Sequence, residues 1–179
     1  MQSFVIAIGW SRSWIFYLGV AVGVVGLIVR WLGWWYPAVF PFREPSTLAA
    51  ILFLILLLLV RVFRKGPVSG SRLQGAVAVY LLLGLAWAHA YVIFNRNHPD
   101  AFSIQEHTPA TVAAWTYFSF VTLTTVGYGD IVPKDPVARM LAAGEALTGQ
   151  LFLAVLLARL VALQVSSGLE AAANPEKNE

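Results

Sequence analysis

Thr122-Leu123-Thr124-Thr125-Val126-Gly127-Tyr128-Gly129-Asp130 is the stretch on which the fold of this 179-residue chain turns. Two glycines flank a tyrosine, threonines stand just before, and an aspartate follows. Glycine reaches positive φ without a Cβ clash, so Gly127 and Gly129 open a backbone course that other residues resist. On the N-terminal side, about 111–124 form an apolar piece too short to cross a bilayer, which takes roughly 20 helical residues for about 30 Å. On the C-terminal side, about 137–165 are long and apolar enough to cross. A half-crossing helix followed by an extended return is a re-entrant pattern, tolerated at membrane depth only inside a protein wall.

Outward from there the chain is mostly membrane material. Hydrophobic residues make up 59% and charged residues 12%, a balance that leaves too little charge to cover a soluble domain. Three further stretches reach spanning length, at about 14–35, 48–63 and 73–94. The second is the shortest. The order predicted is a two-helix preface, a third span, a half-crossing helix, the quoted loop and a fourth span. The domains follow as residues 1–71 for the preface and linker, 72–165 for the re-entrant module, and 166–179 for a short polar tail. The absence of cysteine excludes disulfides, thiolate metal sites and thiol redox chemistry. No cleavable signal peptide is expected, because the first apolar stretch is of full spanning length. Seven tryptophans suit interfacial belts, and Trp31, Trp34, Trp35 and Tyr36 cluster at one end of the first span.

Lys and Arg set the orientation. Arg61, Arg64, Lys65 and Arg72 fall together between the second and third spans, so that loop is expected in the cytoplasm. Four crossings then place both termini inside and residues 95–110 outside as a turret. In the first span Gly19, Gly23 and Gly26 suit close packing on another helix, although glycine is also simply common in membrane helices. Of the basic residues within spans only Arg61 and Arg64 have sensor-like spacing, and the positive-inside rule already accounts for them. His89, His98 and His107 read as ordinary interfacial and turret residues, with external pH sensing as the rival reading.

In this setting residues 122–130 resemble the selectivity filter of tetrameric potassium channels, with Thr125 to Asp130 matching its hallmark. That likeness makes 72–165 a pore module of outer helix, turret, pore helix, filter and inner helix. The resemblance covers about residues 73–165, and the preceding 65 or so match no family module. It implies a homotetramer of an all-α membrane protein, with four spans plus a re-entrant pore helix per subunit, like prokaryotic ion channels with two extra N-terminal helices. It implies that carbonyls of Thr125, Val126, Gly127 and Tyr128, and the Gly129 position, bind dehydrated K⁺. Tyr117 and Phe118 stand where the family often has aromatics cuffing the filter. Val121 stands where some bacterial members have a glutamate that meets the filter aspartate; without it, Asp130 needs another partner, with Tyr117 nearest in the pattern. Val132 replaces an outer-mouth aromatic that favours block by external tetraethylammonium.

The inner helix carries further candidates. Gly149 stands where the family places a gating hinge; tight contact with the pore helix is the competing reading. Glu145 lies one turn earlier on the same face. An ionisable residue near mid-membrane is a functional candidate by default, here as a brace behind the filter with Thr122 or Thr124 as donors, or as a structural hydrogen-bonding group. Its protonation state is then a possible gating input. Gln150, Leu153 and Leu157 recur at helical spacing as candidate cavity lining. Arg159 is expected to snorkel towards the cytoplasmic interface or to pair with a neighbouring chain.

No nucleophile–base pair, phosphate loop or metal cluster is present, so the sequence points away from an enzyme. The reading is a potassium-selective channel in the cell membrane, with permeant K⁺ but no cofactor, lipids and copies of itself as partners, no nucleic acid, and no soluble regulatory domain. A non-conducting accessory or sensor protein and a K⁺ uptake transporter subunit are the alternatives.

Overall fold

The computed structural model describes residues 41–63, 70–104 and 111–173, together with the helical positions 21, 25, 26, 28 and 31. Its elements are helix α1 (Arg43–Val62), helix α2 (Gly70–Asn97), strand β1 (Phe102–Ile104), helix α3 (Val112–Leu123), strand β2 (Ile131–Pro133) and helix α4 (Pro136–Ala173). Among the described residues, three helical segments are long and apolar enough to cross a membrane: Arg43–Val62, Leu73–Asn97 and Pro136–Ala162. Helix α3 is apolar but shorter. The expected first span falls largely outside the described residues, as do Gly19 and Gly23. Gly26 is described, and a Cβ there would lie 3.5 Å from Ala50 Cβ and 3.6 Å from the Ser46 carbonyl, so it faces α1 at ordinary contact distance.

Local chemistry fixes the helix ends. Helix α1 begins at Arg43, five residues before the expected start, because Pro45 is tolerated within a first turn whose N–H groups have no intrahelical partner. The Arg43 carbonyl accepts from Ser46 Oγ at 3.0 Å and Thr47 Oγ1 at 2.9 Å. Thr111 caps α3, its side chain accepting from the Ala114 amide. Asp135 does the same for α4, its carboxylate accepting from Val137 N at 2.8 Å and Ala138 N at 3.3 Å, with Pro136 as first helical residue.

Two apolar clusters hold the helices together. One lies between α1 and α2, around Ile55, Val79 and Ala86, with Phe152 of α4 packed against it. The other is aromatic and backs α3. Tyr91, Phe102, Trp115 and Phe118 meet there with Ile131 and Ala138. Tyr91 and Phe118 cross edge-on at 4.9 Å between ring centroids, and Phe102 and Trp115 at 4.8 Å, the geometry that aromatic quadrupoles favour. Phe118 therefore points into this core, not at the quoted loop; its neighbour Tyr117, about 100° further round the helix, takes the loop side.

A small antiparallel pair completes the frame. Phe102 pairs with Pro133, Ser103 with Val132, and Ile104 with Ile131. The Ala101 carbonyl accepts from Lys134 N at 2.8 Å and Asp135 N at 3.2 Å. The chain leaving Asp130 is thus tied to the segment that follows α2.

Candidate functional site: the loop from Thr124 to Asp130

Helix α3 ends at Leu123, and the backbone that follows alternates in hand. Thr125 has φ 61°, Gly127 φ 59° and Gly129 φ 80°, whereas Val126 and Tyr128 between them stay at negative φ. Alternating left- and right-handed residues turn successive carbonyls towards the same side, where an ordinary strand would alternate them. Glycine accepts this without strain. Thr125 is β-branched, and a left-handed conformation costs such a residue on the order of 1–3 kcal/mol unless its surroundings impose it.

The surroundings do. Thr125 N donates to Thr122 O at 2.9 Å, and Thr125 Oγ1 donates to Thr124 O at 2.7 Å. Val126 N and Gly127 N both donate to Val121 O, at 2.9 and 3.3 Å. The amides of 125–127 are therefore spent on the last carbonyls of α3, which a helix end leaves without intrahelical partners. The carbonyls of 125–129 accept none of the backbone hydrogen bonds among the described residues. A row of free oxygens on one side of a short segment can replace part of the hydration shell of a cation. The negative end of the α3 dipole lies beside it.

The flanking residues take distinct places. Tyr117 stacks parallel to Tyr128 at 6.4 Å, with 2° between their planes, and its hydroxyl is within hydrogen-bonding reach of the Asp130 carboxylate. Asp130 Oδ1 also accepts from Ile131 N at 3.1 Å. Thr124 Oγ1 donates to Phe120 O at 2.6 Å, inside its own helix. Val126 and Tyr128 are 53% and 72% exposed in the single chain, so the loop lies along an uncovered edge.

Glu145 is fully buried, but its partners are not Thr122 or Thr124. Tyr91 Oη donates to Glu145 Oε2 at 2.6 Å, and Ser119 Oγ lies 2.5 Å from Glu145 Oε1. Ser119 Oγ is also 2.7 Å from the Gly84 carbonyl. The correction has a plain cause. Ser119 lies over a turn before Thr124 on α3, and the crossing with α4 brings Glu145 to that level, behind the aromatic core.

Helix α4 is continuous through Gly149, and a Cβ there would lie 2.2 Å from the Leu123 carbonyl. The missing side chain lets α4 meet the end of α3. Gln150, Leu153 and Leu157 are exposed along α4. Arg159 stacks its guanidinium 4.8 Å over the Phe63 ring, joining α4 to the end of α1 within one chain. Tyr91, Ser119 and Gly84 carry no sequence motif, and the spacing of Gly84 and Tyr91 along one face of α2 is their only trace.

Three described helices long and apolar enough to cross a membrane accompany a half-length helix and its return loop. Residues 77–165 match a family model described as "Ion channel". The chain is 38% identical over 101 residues to "Two-pore potassium channel 5" of Arabidopsis thaliana, covering 55% of this chain and 22% of that protein. It is 43% identical over 83 residues to "Two-pore potassium channel 4" of the same plant, covering 46% and 26%. "Voltage-gated potassium channel" of Aeropyrum pernix is 35% identical over 77 residues, covering 43% and 23%. The matched segments thus span about a quarter or less of these curated relatives. No solved structure matches the chain. Residues 77–165 are an ion-channel domain with potassium-channel kinship, carried by a multi-pass membrane protein.

Proposed function

We propose that the chain is the subunit of a potassium-selective channel, with four copies arranged around one pore. The carbonyls of Thr125, Val126, Gly127 and Tyr128, continued at Gly129, coordinate K⁺ as it sheds water. The observation that carries this reading is the alternation of positive φ at Thr125, Gly127 and Gly129, with three amides engaged behind and the carbonyls left free. A single loop supplies one oxygen per level, so coordination on all sides needs further copies. The exposed edge at Val126 and Tyr128 is available for them.

In this reading Asp130, Tyr117, Thr124 and Glu145 support the filter. Gln150, Leu153 and Leu157 line the cavity below it. Gly149, besides its packing contact, is where α4 would bend to open the pore. The basic residues Arg61, Arg64, Lys65 and Arg72 and both termini face the cytoplasm of a cell whose surface membrane holds the protein, and Asp130 faces outward. No cofactor is required, because passive flow down a gradient needs only a path and a selective site.

Reconstitution into liposomes tests this reading. Purified protein should admit Rb⁺ and K⁺ and largely exclude Na⁺, and Tyr128→Asp should raise Na⁺ entry if the protein still assembles. Equal Na⁺ and K⁺ uptake by the wild type would contradict it.

A further inference from the structure

Helices α2, α3 and α4 meet at one buried point that is polar. Gly84 O, Tyr91 Oη, Ser119 Oγ and the Glu145 carboxyl form a chain of three short contacts: Tyr91 to Oε2 at 2.6 Å, Ser119 to Oε1 at 2.5 Å, and Ser119 to Gly84 O at 2.7 Å. Tyr91, Ser119 and Glu145 are all fully buried. The Gly84 carbonyl has no proton to give. A hydroxyl has one proton.

A proton shared between two acceptors lengthens both contacts, so three contacts this short take three protons. Tyr91 supplies one, to Oε2. Ser119 supplies one, and if it goes to Gly84 O the contact with Oε1 has none left. We infer that Glu145 stands as a neutral carboxylic acid whose Oε1–H donates to Ser119 Oγ, which passes its own proton to Gly84 O, so that Glu145 positions the pore helix through a proton relay. With an ionised carboxylate, Ser119 can satisfy only one of its two neighbours. The charge-assisted bond to the carboxylate wins, and α3 loses its tie to α2 at Gly84.

Among the described residues no cation pairs with Glu145. From α2 the titratable groups facing Glu145 are Tyr91 and, at longer range, Tyr80. Helix α3 contributes Ser119. Gly84 permits the arrangement, because its lack of a side chain lets the Phe120 ring settle against α2 and brings Ser119 to the carbonyl.

The inference rests on this packing and deepens the proposed role of Glu145 as a filter support. Infrared difference spectroscopy of the purified full chain near neutral pH tests it without requiring conduction, so a protein that fails to conduct leaves the readout intact. The wild type should show a protonated-carboxyl C=O band that vanishes in Glu145→Gln. In Ser119→Ala the same band should move to higher frequency, because the acid has lost its acceptor. Glu145→Gln should also keep the wild-type thermal midpoint, since the carboxamide donates to Ser119 and accepts from Tyr91, whereas Glu145→Ala should lower it. Absence of the band in the wild type, its persistence in Glu145→Gln, or no shift in Ser119→Ala would overturn the proposal. If Glu145→Gln does not assemble, the Ser119→Ala shift decides the matter alone.

Discussion

The carbonyl oxygen of Leu123 occupies the place where a side chain at Gly149 would have to begin, 2.2 Å from the position of its Cβ. The nearest obstacle is backbone at the end of α3, which cannot yield as a flexible side chain would. Gly149→Ala should therefore push α4 from α3, at an overpacking cost of about 1–3 kcal/mol or more. Thermal unfolding in detergent and liposome flux should both fall. A variant that stays as stable as the wild type but opens less often would assign Gly149 to the hinge instead of the crossing.

Gly84 makes the matching approach from α2. A Cβ there would lie 2.6 Å from Phe120 Cε1 and 2.8 Å from Cζ. A ring can turn aside, so Gly84→Ala should destabilise less than Gly149→Ala. Adding Phe120→Leu should recover part of the loss. A double variant no better than Gly84→Ala alone would show that the ring is not what the methyl meets.

A third expectation concerns the joint between α1 and the pore module. Glu44 is buried, with Oε2 2.7 Å from His89 Nδ1 and Oε1 3.1 Å from Arg43 Nε. Removing Glu44 takes the carboxylate partner from the buried His89 ring nitrogen, which costs on the order of 1–3 kcal/mol. Glu44→Ala should thus lower thermal stability and speed amide exchange along 43–62 more than along 112–123. Uniform exchange in the two segments would show that the pair does not anchor α1.

The outer mouth gives a fourth. Val132 is exposed in β2, opposite Ser103. Val132→Tyr should strengthen external tetraethylammonium block by at least about twofold, the lower end of an exposed cation–π contact. An unchanged dose–response would place residue 132 away from the mouth.

Much of residues 70–173 was legible because the signals are local. The short apolar piece expected at about 111–124 is α3 at Val112–Leu123, and the third and fourth stretches are α2 and α4 to within a few residues at most of their ends. Gly127 and Gly129 announced positive φ; Thr125 did not, because threonine carries no such preference and takes it only under the pull of Thr122 and Thr124. The start of α1 was missed since Arg43, Glu44 and Pro45 look like a loop until Glu44 finds His89, 45 residues away. The partners of Glu145 were missed for the same reason. Tyr91 and Ser119 are ordinary residues until three helices cross. The short strands at 102–104 and 131–133 were also invisible, being three residues each and held by their pairing and by the packing of Phe102 and Ile131 into the aromatic core.

The central claim is that the free carbonyls of 125–129 select K⁺, and a bi-ionic reversal potential measures that most directly. Protein in a planar bilayer with K⁺ on one side and Na⁺ on the other should reverse strongly towards the K⁺ equilibrium potential. A reversal near zero from the same protein would contradict the account.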